Sequence, residues 1–123
     1  MNICLLGNNL TNLVLANIFL KKKINVDIIS LASAPVLKNT IRTIAISSEN
    51  YKFLIENIKN FKNLGWPTSM IKIYSERNRS SELFEFKNKN QNNFYLLKYI
   101  EFYNLLKKNK FLKFVKYKNY SFE

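Results

Sequence analysis

Apolar and polar positions repeat with two different periods along this chain, and the places where the period changes divide it into elements. Asn2–Leu6 is a short apolar run closed by Gly7, which predicts a buried first strand. Residues 10–22 read as a helix, with Leu10, Leu13, Val14, Phe19 and Leu20 spread widely around it. Ala16 offers a point of close approach to a sheet, and Lys21, Lys22 and Lys23 suit the negative end of the helix dipole. Asn25–Ser30 (NVDIIS) has the β-branched character of a second strand. Strand, tight turn, helix and strand in such close succession make a βαβ unit, whose strands are expected to be parallel and its crossover right-handed.

Beyond residue 30 the pattern is more broken. Residues 31–40, with Pro35, read as a loop, and residues 42–47 as a cationic residue followed by a buried connector. Ser47 or Ser48 can cap a helix whose apolar face is Tyr51, Leu54, Ile55 and Ile58, at i, i+3, i+4 and i+7. That helix should end before Gly65, Trp66 and Pro67, where both breakers meet. Residues 70–75 and 83–86 alternate as half-exposed antiparallel strands do, around a polar turn at 77–81. An asparagine-rich loop at 87–93, a short strand at 94–97 and a helix at 99–108 with Phe102, Leu105 and Leu106 inward come next; a last strand begins at Phe111. The fold class is α/β: a single domain over 1–123 with a Rossmann-like βαβ core in 1–30. Helices and a small antiparallel β layer fill 31–123.

Composition sets outer limits. With 123 residues, 47% hydrophobic and 15% aromatic, the chain can build the core of one small domain, or of a piece of a larger one. The net charge of +12 is almost all lysine; the arginines are Arg42, Arg77 and Arg79. Lysines scattered over every element read as a solvated surface, and the arginine forks that grip phosphates or base edges are scarce, so no specific nucleic-acid partner is expected. Cys4 stands alone and histidine is absent, which argues against a disulfide framework, a histidine metal site and a Ser-His-Asp triad. The apolar start has no basic segment before it, and asparagines at 8, 9, 12 and 17 interrupt the next apolar stretch, unlike an export signal. No apolar run approaches bilayer-spanning length. The expected location is cytoplasmic, with peripheral contact to a membrane as one option.

The residues most open to chemistry form the turn Gly7, Asn8, Asn9, Leu10, Thr11 and Asn12, between first strand and first helix. A dinucleotide site has G-x-G-x-x-G there: one glycine for the turn, one for approach of the pyrophosphate, one for helix–strand packing. The phosphates rest on the helix N-terminus. Here Gly7 is kept, and Asn9 and Asn12 stand at the other two positions. Asparagine tolerates positive φ, but its side chain takes up space that a pyrophosphate needs. The second strand ends in Ser30 where such sites carry an acid for the ribose hydroxyls. On the turn alone, a nucleotide site and an ordinary βαβ turn remain alternatives.

Arg42, Thr43, Ile44, Ala45, Ile46 and Ser47 carry a more specific signal. This R-T-I-A-I-S closely resembles the R-T-I-A-L-S stretch of the flavin-dependent hydroxylases of ubiquinone biosynthesis, and it falls shortly after the second strand, as in that family. The order downstream is similar too: a helix of the Tyr51 to Ile58 kind, the pair Gly65 and Trp66, an I-x-I strand running toward an acid (Ile71, Ile73, Glu76), and Tyr95, Leu96 and Leu97 stepping into a helix. The resemblance implies the FAD-binding N-terminal portion of a monooxygenase that uses NAD(P)H and O₂ to hydroxylate a polyprenyl phenol. It places Gly7, Asn9, Leu10, Thr11 and Asn12 at the FAD pyrophosphate, Ser30 at the ribose and Arg42 beside the cofactor. It also implies that the fold is truncated, because the family's later G-D motif and most of its substrate-binding sheet lie beyond residue 123. The implied partners are a second polypeptide completing the hydroxylase or other ubiquinone-biosynthesis proteins, near the inner membrane. A homo-oligomer is another option, with the aromatic tail (Phe111, Phe114, Tyr117, Tyr120, Phe122) as the expected sticky surface. Two alternatives stand beside this reading: a non-catalytic relative serving as an interaction module, and a basic module binding nucleic acid or a membrane surface.

Overall fold

The computed structural model describes residues 2–30, 42–75, 81–87 and 94–116. The loop expected at 31–40, Glu76, most of the turn at 77–81, residues 88–93, and Tyr117, Tyr120 and Phe122 lie outside the described residues.

Strand β1 (Asn2–Leu6), helix α1 (Leu10–Lys21) and strand β2 (Asn25–Ser30) form the expected βαβ unit. β1 and β2 are parallel, with Ile3 opposite Val26 and Leu5 opposite Ile28. Because side chains alternate, those four share one face of the sheet. On that face Val26 and Ile28 are buried, and α1 contributes Leu13 and Ala16, both wholly buried. The missing bulk at Ala16 lets the helix axis approach the sheet.

The opposite face of β1 is open: Cys4 is exposed and Leu6 is 61% exposed. The expectation of a fully buried first strand is thus corrected to a strand covered on one side. A third parallel strand, β8 (Lys113–Lys116), pairs with β2 to give the order β1-β2-β8. This strand starts two residues later than expected, leaving Phe111 in the preceding turn.

Residues 42–47 hold the largest departure from the sequence reading. The expected connector is strand β3 (Thr43–Ser47), hydrogen-bonded antiparallel to β7 (Phe94–Lys98). Trp66–Thr68, expected only to break a helix, is strand β4 on the other side of β7. The small antiparallel layer is therefore β3-β7-β4. Propensity alone did not mark these segments as strands, because it is pairing with the central β7 that makes them so.

Helix α2 (Ser48–Asn57) packs on this sheet, capped by Ser47, whose hydroxyl accepts the Asn50 N–H at 3.2 Å. Tyr51, Leu54 and Ile58 are buried as expected, whereas Ile55 faces outward. The Tyr51 ring stacks on Tyr95 at 3.6 Å, and its hydroxyl donates to the Lys62 carbonyl at 2.9 Å. Phe61, in a 3₁₀ turn after α2, meets Tyr51 on one side and Phe102 of helix α3 (Tyr99–Lys107) on the other. These aromatic contacts join the two sheets into one core. In α3, Phe102 and Leu106 point inward as expected, together with Tyr103, while Leu105 is only half-buried.

Strands β5 (Met70–Tyr74) and β6 (Glu82–Lys87) form a separate two-stranded antiparallel ribbon. Lys72 bridges Glu82 and Glu85 across it. Apolar side chains remain in solvent along the ribbon: Met70, Ile73, Leu83, Phe84 and Phe86 are all exposed, Phe84 by 65%. No helix among the described residues is long and apolar enough to cross a membrane.

Candidate functional site

The turn after β1 is built by three residues with different tasks. Gly7 has φ of +96°, a conformation that a side chain disfavours, and its N–H donates to the Ile29 carbonyl at 2.7 Å. That bond ties the turn to the end of β2, so it sits at the carboxyl ends of two parallel strands. Open α/β sheets commonly bind ligands at that position. Asn9 is the N-cap of α1: its backbone is extended and its side-chain oxygen accepts the Asn12 N–H at 2.9 Å. Asn12 then reaches back, its Nδ2 donating to the carbonyls of Leu6 at 2.6 Å and Gly7 at 2.8 Å.

These bonds decide what the turn can hold. Its backbone suits an anion, since the N–H groups of Leu10 and Thr11 stand at the open end of α1 with no acceptor among the described residues. The Asn12 N–H behind them is taken by the side-chain oxygen of Asn9. A Cβ built on Gly7 would lie 3.4 Å from Asn9 Nδ2 and 3.7 Å from Asn12 Nδ2, ordinary contact distances, so both amides stand beside the glycine. The turn has the backbone of an anion-binding helix start, with the amides of Asn9 and Asn12 bonded within it.

The other implied residues fall on either side. Ser30 ends β2, one residue beyond the carbonyl that anchors Gly7. Arg42 precedes β3, its guanidinium 5.2 Å over the Tyr99 ring, and its carbonyl accepts the Tyr99 N–H at 2.9 Å. Tyr99 in turn stacks on Tyr103, with centroids 6.2 Å apart and planes 13° from parallel. Tyr103 closes the path to the turn. Burial pushes its hydroxyl's pKa up, and the Asn8 amide beside it pulls partly the other way. The two groups are close but misaligned, since the Tyr103 hydroxyl and the Asn8 side-chain oxygen are both buried without a well-formed hydrogen bond.

Gly7, Asn9, Leu10, Thr11 and Asn12 therefore gather in one turn with Ser30 at its flank, and Arg42 is linked to it through two stacked tyrosines. Sequence reasoning placed Asn8 in the turn without a role of its own, and missed the part played by Tyr99 and Tyr103. The i, i+4 spacing of the two tyrosines at the start of α3 was the available signal, because such residues lie on one helix face.

No protein-family model and no curated protein sequence matches the chain. Solved structures do. The chain is similar to 2,6-dihydroxypyridine-3-hydroxylase from Arthrobacter nicotinovorans, with 15% identity, a TM-score of 0.61, and coverage of 92% of this chain and 28% of that one. It is similar to p-nitrophenol 4-monooxygenase PnpA from Pseudomonas putida, with 12% identity, a TM-score of 0.65, and coverage of 93% and 31%. Klebsiella pneumoniae HpxO complexed with FAD and uric acid gives 12% identity, a TM-score of 0.59, and coverage of 93% and 30%. The chain thus spans less than a third of the length of these structures. At such identities the likeness establishes the fold: an α/β, Rossmann-like βαβ start with a small antiparallel layer, shared with part of a group of hydroxylases and monooxygenases that includes an FAD complex.

Proposed function

We propose that this chain is the FAD-binding portion of a flavin-dependent aromatic monooxygenase acting on a polyprenyl phenol of ubiquinone biosynthesis, and that a second polypeptide completes it. The observation that carries the reading is the placement of the Gly7 turn at the carboxyl ends of β1 and β2, in a fold shared with monooxygenases, with Arg42 of the R-T-I-A-I-S segment tied to it through Tyr99 and Tyr103. The polyprenyl-phenol substrate rests on the R-T-I-A-I-S resemblance. The need for a partner rests on the open face of β1 and on the exposed apolar side chains of the β5–β6 ribbon. A two-stranded ribbon is marginal by itself in water, so cover from further polypeptide suits it.

A second reading has its own observation. The side chains of Asn9 and Asn12 are engaged within the turn itself, as expected of a relative that has given up the cofactor and kept the fold as an interaction module.

One experiment separates the two. Flavin content is measured on the chain purified alone, and again after co-expression with the product of a neighbouring gene that begins with the family's later motifs. Colourless protein alone and flavin-bearing protein in the complex support the enzyme reading. A complex that forms without flavin supports the second. In the same assay, Asn9→Gly with Asn12→Gly should raise flavin affinity, since each replaced amide clears space that the pyrophosphate needs. Unchanged affinity means that the turn is not what limits binding.

A further inference from the structure

The carboxyl ends of α1, α2 and α3 converge on one side of the molecule, at the opposite end of α1 from the Gly7 turn. Lys21 Nζ donates to the Glu56 carbonyl at 2.6 Å, which joins the end of α1 to the end of α2. Asn17 Nδ2 donates to the Leu106 carbonyl at 3.2 Å and Asn17 Oδ1 accepts from Asn109 Nδ2 at 2.9 Å, which joins α1 to the end of α3. Between them lies an open groove of about 800 Å³ with Leu20, Ile55 and Leu105 in its walls. Lys21, Lys59, Lys108 and Lys110 line it, against one acid, Glu56.

Lysines at helix carboxyl ends have an ordinary explanation in the helix dipole. Phe111 does not. It stands at the lip of the groove, 64% exposed, with Lys110 Nζ 5.1 Å over its ring. The turn that carries it, residues 108–112, reads KNKFL, with Lys108 and Lys110 on either side of Asn109 ahead of one outward aromatic. An exposed aromatic at the lip of an apolar groove lined by four lysines is suited to a surface with anionic headgroups outside and acyl chains beneath. Long lysine stems can lie along apolar walls while their ammonium groups stay with the headgroups. A nucleic-acid strand would use the charges but leave the groove walls idle, and one isolated ring is no platform for successive bases.

We propose that this end of the molecule docks on an anionic lipid bilayer, with Phe111 entering the boundary between headgroups and acyl chains. The proposal is independent of the flavin reading, because every residue it uses lies away from the Gly7 turn. Co-sedimentation of the chain with vesicles of mixed phosphatidylglycerol and phosphatidylcholine, against phosphatidylcholine alone, tests it directly. Binding should appear with the mixed vesicles and fall as salt rises. Lys108→Gln with Lys110→Gln should lower the partition coefficient about 25-fold, from a contribution of about 1 kcal/mol for each lysine near the surface. Phe111→Ser should lower it about tenfold by removing the inserted apolar area.

Lys52→Gln with Lys87→Gln changes the net charge equally but outside the groove, and should cost far less. All these side chains are exposed, and far-UV circular dichroism checks that each variant keeps the fold. Equal losses from the two lysine pairs would reduce the effect to diffuse charge and overturn the proposal. An undiminished Phe111→Ser variant would do the same. Tighter binding to a single-stranded oligonucleotide than to the vesicles, also lost in Phe111→Ser, would assign the surface to nucleic acid instead.

Discussion

Asn12→Ala is the substitution that most directly tests how the turn is held. In the folded chain the Asn12 side chain gives one N–H to the Leu6 carbonyl at 2.6 Å and the other to the Gly7 carbonyl at 2.8 Å. A hydrogen bond of this kind contributes about 1 kcal/mol net, so losing both costs about 2 kcal/mol. Alanine in the first helical turn returns roughly 0.6 kcal/mol through its better propensity. The net expectation is a loss of about 1.5 kcal/mol, and about 2.2 to 2.4 kcal/mol for Asn12→Gly, where glycine's poorer propensity adds to the lost bonds. For a domain of this size that corresponds to a fall in Tm of roughly 4–8 °C for Asn12→Ala. Thermal unfolding followed by circular dichroism reads it, and urea titration at constant m-value confirms that the folded state is what changed. The result that sinks the argument is an Asn12→Ala protein as stable as the parent. Those two bonds would then be no better than the water contacts that replace them, and the asparagine would be free to yield to a phosphate.

Two further outcomes follow from the core. Gly65→Ala should destabilise by roughly 1–3 kcal/mol through overpacking, read as a shifted urea midpoint. A Cβ there falls on the Tyr51 ring, 3.0 Å from Cζ, while Tyr51 is held by its stack on Tyr95 and its bond to the Lys62 carbonyl. An unshifted midpoint would mean that the ring moves aside freely. At alkaline pH, the raised pKa values of Tyr51 and Tyr103, both due first to burial, make the folded state the better proton holder. Their contribution is complete below about pH 10, the ordinary tyrosine value, and is lost above it as the unfolded chain ionises first. Tyr103→Phe should flatten part of that alkaline fall, and an unchanged slope would rule Tyr103 out as a source.

How far the sequence could be read depended on whether the cause of an element was local. The bounds of β1 and β2 and the start of α1 were readable because an apolar run, a glycine and a β-branched run each act within a few residues. The Ser47 cap of α2 was readable for the same reason. β3 and β4 were not. Thr43–Ser47 and Trp66–Thr68 are strands because β7, dozens of residues away in sequence, lies between them and completes their hydrogen bonds. Among the candidate site residues, Gly7, Asn9 and Asn12 could be named from spacing. That the two asparagines spend their amides on the turn's own N–H and carbonyl groups could not.

The sequence by itself determined a βαβ start with a worn glycine fingerprint, a short motif resembling that of the ubiquinone hydroxylases, and a surface rich in lysine. Each of those follows from residue type and short spacing. Tertiary structure decided the rest. It linked Arg42 to the Gly7 turn through Tyr99 and Tyr103, left the ribbon's apolar side chains in solvent, and gathered lysines around Phe111 at one end. Above all it showed the side chains of Asn9 and Asn12 bonded back onto the Gly7 turn. Whether an asparagine side chain turns toward a ligand or back onto its own backbone is set by which donors and acceptors the fold brings within hydrogen-bonding reach, and that geometry is fixed only once β1, α1 and β2 have packed.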